Sequence, residues 1–109
     1  MIFVGNTLQN GPDAVALYIG NAVDFPIDTP VTSVNLIDAL VYGTGDPDDL
    51  GLIQTLLIPG GQVQLDENEN LSSETVSTSR CSASTRDGTA FTSGTTPTPD
   101  SVNAVVPCP

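Results

Sequence analysis

The chain has 109 residues, enough for one small domain; it is 39% hydrophobic and 5% aromatic with no Trp, so its core must be aliphatic, built from Val, Leu, Ile and Ala. Its 13 acidic residues stand against two Arg, with no Lys and no His, for a net charge of −11. That balance argues against nucleic acid and anionic membrane surfaces as partners and leaves cations, calcium above all; otherwise the acidic surface only keeps the protein in solution.

Residues 2–4 read as a short strand, and Asn10-Gly11-Pro12-Asp13 as a turn, with Gly free to take positive φ and Pro pre-set for a turn position. The run over 14–19 is a strand that places Val15, Leu17 and Ile19 on one face and Ala14, Ala16 and Tyr18 on the other. Residues 21–30 form a loop bracketed by Pro26 and Pro30. The second strong segment covers 31–42, where Leu36, Asp38, Leu40 and Tyr42 alternate with Ile37, Ala39 and Val41. An acidic turn over 43–49 leads to a short helix over 50–57, with Asp48 or Asp49 as its N-cap, ended by Pro59-Gly60-Gly61. Residues 62–65 read as a short strand, 66–70 as a charged loop, 74–79 as a strand running on to Arg80 and Cys81, and 89–92 as a last strand. From about residue 82 the chain is rich in Ser, Thr and Pro; 95–99 is expected to be extended and is either a plain spacer or a carrier of O-linked sugars. There is no internal repeat, and residues 1–109 form one domain. Several short strands separated by turn signals predict an all-β sandwich with one short helix.

Cys81 and Cys108 are the only cysteines, and with no His and no Cys-x-x-Cys pair they do not make a zinc site. They predict one disulfide and an oxidising, extracellular location. The bridge closes a loop of about 28 residues, worth on the order of 3 kcal/mol if the gain is loop entropy. Asn70-Leu71-Ser72 is an N-glycosylation sequon in a polar stretch. The opening Met1-Ile-Phe-Val-Gly is too short and lacks the basic start of a secretion signal, so an exported protein must have its leader removed or outside this sequence. No apolar run approaches the length of a membrane span.

The order of motifs resembles a known family. Residues 6–18, with Asn-Gly-Pro-Asp-Ala-Val-Ala-Leu-Tyr at their end, are similar to a strand motif of the secreted lamin tail domains. Asn35-Leu36-Ile37-Asp38-Ala39-Leu40-Val41-Tyr42 and the acidic turn after it resemble the strand that follows in that family. Arg80-Cys81 and Thr96-Pro97-Thr98-Pro99 resemble its ending. The resemblance implies an immunoglobulin-like β-sandwich and a non-catalytic binding or anchoring role in secreted proteins. The family's opening strands have no counterpart here, so the sandwich is expected to be incomplete at its N-terminal side. Two arrangements then stand open: other copies or another protein chain complete the sheet by strand addition, or the monomer closes a smaller, shifted sandwich.

Without His or Lys, and with both Cys assigned to a disulfide, Ser or Thr lacks a base and no nucleophilic triad can form. Asp38 or Asp46 with Glu67 is the remaining acid–base pairing, but no aromatic platform accompanies it for a sugar. No catalytic residue is therefore assigned. Asp38 is expected on the solvent face of its strand or bonded to turn amides, and Arg80 is expected to pair with a carboxylate. Calcium is the candidate cofactor: Asp46, Asp48 and Asp49 crowd a glycine-flanked turn, and Asp66, Glu67 and Glu69 form a second cluster. The first turn resembles the opening of an EF-hand but has Leu57 where that loop needs Glu. The function expected is a non-enzymatic extracellular interaction or assembly module that self-associates or binds another chain through an open sheet edge. The alternatives are an accessory domain of a secreted nuclease-type hydrolase and an acidic calcium-binding matrix protein.

Overall fold

The computed structural model describes residues 11–67, 75–102 and 106–109. The strand expected over 2–4 and the sequon at Asn70 lie outside the described residues. Among the described residues, five strands, one α-helix and two short 3-10 helices make a small β-rich domain of two sheets. Strands β1 (Asp13–Tyr18), β2 (Leu36–Gly43) and β3 (Leu65–Asp66) form one sheet in the order β1-β2-β3; β4 (Ser77–Arg80) and β5 (Phe91–Thr95) form the other.

β1 and β2 are antiparallel, with Val15 opposite Leu40, Ala16 opposite Ala39 and Leu17 opposite Asp38. Opposed residues share a face, so the register sorts the sheet into two surfaces. One carries Ala14, Ala16, Ala39 and Val41, and helix α1 (Leu50–Leu56) covers it: Ile53, Leu56 and the following Leu57 are buried there with Ala39 and Val41. The small alanines let the helix approach closely. Asp49 caps α1, its carboxylate accepting from the Leu52 N–H at 3.0 Å. The Asp49 N–H in turn donates to the Gln64 Oε1 at 2.9 Å, tying the start of the helix to the segment before β3.

The second surface carries Asp13, Val15 and Leu17 of β1 with Asp38, Leu40 and Tyr42 of β2. The β4–β5 sheet lies over only part of it. Phe91 and Ala90 pack on Tyr42 and Leu65, with Leu40 at the margin. β4 has almost no apolar side chains, and hydroxyls join it to β5: the Ser79 and Thr95 hydroxyls are 2.7 Å apart, and the Thr95 hydroxyl donates to the Ser77 carbonyl at 2.8 Å. The Cys81–Cys108 disulfide forms and holds the C-terminal residues against this sheet, together with the Thr92 hydroxyl, which donates to the Pro107 carbonyl at 3.0 Å.

Several expected boundaries shift. The strand expected from Val31 begins only at Leu36, because Asn35 takes a φ of 60° and the Leu36 N–H bonds the Ser33 carbonyl in a turn. The strand expected over 62–65 shrinks to Leu65–Asp66, which runs parallel to β2. Residues 75 and 76 fall outside β4, and residue 74 lies outside the described residues. The last strand starts at Phe91, since Gly88–Ala90 forms a 3-10 helix capped by Asp87. Gly88 is required at that crossing: a Cβ there would stand 2.2 Å from the Val63 carbonyl oxygen.

Candidate interaction surface

A groove of about 270 Å3 opens where the β4–β5 sheet stops short of β1, lined by Val15, Leu17, Asp38, Ala39, Leu40, Arg80 and Phe91. Among the described residues β1 pairs only with β2. Val15 is 52% exposed, Leu17 58% and Ile19 67%. Sequence periodicity places these three on one face; in the structure Val15 and Leu17 line the groove, on the face the second sheet covers only in part, while Ile19 follows the end of β1. Burying such side chains normally yields about 1.5–3 kcal/mol each, so a row left in water is an unspent source of binding free energy.

The wall opposite β1 is organised by Asp38. Its carboxylate forms an ion pair with the Arg80 guanidinium, accepts from the Arg86 backbone N–H at 2.7 Å and accepts from its own neighbour's N–H, Ala39, at 2.9 Å. Arg80 also donates to the Ser84 carbonyl at 2.6 Å and lies 4.3 Å over the Phe91 ring. Arg86, with φ 54°, turns its guanidinium to the C-terminal end of α1, donating from Nε to the Leu56 carbonyl at 2.8 Å. Both of the chain's cations are therefore engaged internally. Asp38 is bonded to a turn amide as its sequence context suggests, and Arg80 does find a carboxylate. The meeting of Asp38, Arg80 and Arg86 was not legible from spacing, because 42 and 48 residues separate the partners. Replacing Asp38 with Ala is expected to lower stability by about 2 kcal/mol, since it strands the Arg86 N–H as well as the ion pair. A urea midpoint equal to that of the wild type would show that the carboxylate is dispensable.

The acidic turn is arranged otherwise. Asp46 accepts from the Thr44 N–H at 3.2 Å and its hydroxyl at 3.0 Å, and Asp49 is committed to capping α1. Asp46, Asp48 and Asp66 line a small cleft of about 130 Å3 with Gly43, Gly45 and Gln64, which draws a member of the second acidic cluster toward the first. Among the described residues no group of three or more acidic, His or Cys side chains is placed to hold a metal ion. Glu67 sits where burial, and then the charge of Asp66, raise its pKa above the ordinary carboxylate value. Burial, followed by the charges of Asp13 and Glu67, likewise raises the Tyr42 phenol, whose buried hydroxyl has no hydrogen-bond partner among the described residues. No helix among the described residues is long and apolar enough to cross a membrane.

Comparison with family models, with curated proteins and with solved structures finds no match, so the resemblance to lamin tail domains rests on its motifs alone.

Proposed function

We propose that this chain is a non-enzymatic, extracellular interaction module, an immunoglobulin-like sandwich of the lamin tail kind left open over β1, and that it acts by docking another polypeptide there. The observation that carries this reading is the exposed apolar pair Val15 and Leu17 on β1, a strand that among the described residues pairs on one side only, beside a groove. An edge strand offers unpaired backbone N–H and C=O groups to an added strand, while alternate side chains of that strand fill the groove. The disulfide supports an oxidising location. The absence of His and Lys leaves no ordinary base or nucleophile beside the groove, where Asp38 is already occupied by arginine contacts.

Selection from a random peptide display library against the oxidised protein tests the docking surface. Sequences with alternating apolar residues are expected to enrich on the wild type and to lose binding to the Val15→Ser/Leu17→Ser double variant. Enrichment indifferent to that variant, or no enrichment, would overturn the reading. Both positions are more than half exposed, so the double variant is expected to fold like the wild type.

A further inference from the structure

Residues 19–35 join β1 to β2 and lie wholly within the described chain. Hydrogen bonds close this loop on itself. At its base the Ile19 N–H donates to the Asn35 carbonyl at 2.9 Å, and the Tyr18 hydroxyl donates to the Thr32 carbonyl at 2.7 Å. The Tyr18 and Phe25 rings pack with their centroids 5.0 Å apart. The Asp24 carboxylate accepts from the Asn21 N–H at 2.8 Å across the 3-10 helix Ala22–Asp24, and the Thr29 hydroxyl donates to the Pro26 carbonyl. The loop therefore holds a defined shape, yet what it presents to water is apolar. Val23 is 85% exposed and Ile27 93%, and Ile19, Val31 and Val34 are each more than half exposed. Connecting loops are ordinarily polar, so polar groups bonded inward with branched apolar side chains left outside reverse the usual arrangement. The loop stands at the end of the sheet where Tyr18 faces Leu36. The described chain begins, and breaks after Glu67, at the other end, where Asp13 faces Tyr42 and Gly43 faces Asp66.

We propose that this loop is a contact surface between two copies of the chain. Area argues for a second copy as the occupant. At these exposures the five side chains offer roughly 500 Å2 of apolar surface per copy, while a standard interface buries about 800 Å2 per partner, a little over half of it apolar. Two such loops brought together by a two-fold axis thus supply the apolar share of a small interface without any other protein. The loop carries two carboxylates and no cation, and Asp24 is turned to its own short helix, so the contact desolvates little charge. The rest of the chain's charge, −11 in all, repels at longer range, where salt screens it. The contact uses residues outside the lining of the groove and goes beyond the docking reading above.

Sedimentation equilibrium of the full oxidised chain, over a range of concentrations and at two salt levels, tests the proposal. The mass is expected to rise with concentration from the 11.2 kDa of one chain to twice that, with a dissociation constant on the order of 10 μM. The dimer is expected to tighten as salt is added. Val23→Ser/Ile27→Ser, at two exposed positions that leave the fold intact, is expected to weaken it about tenfold, and Val15→Ser/Leu17→Ser to leave it unchanged. A single chain at every concentration would overturn the proposal, as would a dimer indifferent to the Val23→Ser/Ile27→Ser variant or one that salt dissociates. A dimer lost only in Val15→Ser/Leu17→Ser would place the second copy in the groove and overturn it as well. Failure of the peptide selection on β1 with this dimer intact would overturn the docking reading alone and leave the loop contact standing.

Discussion

Replacing Cys108 with Ser is expected to lower the unfolding free energy by about 3 kcal/mol, read from the urea midpoint of the variant against the oxidised wild type. The bridge spans 27 positions in sequence, from the residue after β4 to the C-terminal end. The described residues beyond β5 contribute little burial of their own: none of them is buried, and the Ser101 N–H donates to the Thr98 carbonyl at 3.2 Å in a local turn. The disulfide thus restrains a segment that hydrophobic burial does not, and its effect is exerted chiefly on the unfolded chain, whose freedom it reduces. In a domain of this size that is a large share of a total stability of about 5–15 kcal/mol. Reduction of the wild type should produce the same loss, and a change below about 1 kcal/mol would show that the tail is held, or the unfolded state restrained, by other means.

Leu56→Ala is expected to cost about 3 kcal/mol, with a matching fall in the thermal midpoint. Leu56 is 1% exposed and packs with Ile53, Leu57, Ala39 and Val41, where the alanines on the sheet leave no long side chain able to move into the space. The core holds only nine buried hydrophobic residues among those described, so one vacancy touches a large part of it. Leu17→Ala, at a residue of the same type left 58% exposed, is expected to stay within about 0.5 kcal/mol. If both leucines cost the same, the groove over β1 would have to be closed in solution, and the docking surface proposed for it would go with it.

These two predictions draw on features of unequal legibility. The cysteine pairing followed from a count of two and from composition. The burial of Leu56 was only half legible: the helix could be placed from Asp49 and the Pro-Gly-Gly stop, but the leucine spacing could not say what it packs on. The acidic turn shows which contacts spacing alone does not give. Asp46, Asp48 and Asp49 are near neighbours along the chain, yet one is turned to Thr44 and another to the helix N-terminus, because unpaired amides nearby compete for the same oxygens.

The sequence by itself determined what depends on neighbours along the chain: the two-residue alternation of β1 and most of β2, a short helix capped by Asp48 or Asp49, and the one disulfide that two cysteines permit. Tertiary structure alone decided where those elements meet. It placed Asp38 between Arg80 and Arg86, started β2 after the left-handed Asn35, paired β3 in parallel with β2, and stopped the β4–β5 sheet short of Val15 and Leu17. The division has a physical cause. Periodicity and capping arise from backbone geometry within a few residues, whereas contacts across tens of residues depend on which faces are buried together, and the apolar face of β1 carries the same alternating pattern whether it is covered or left open.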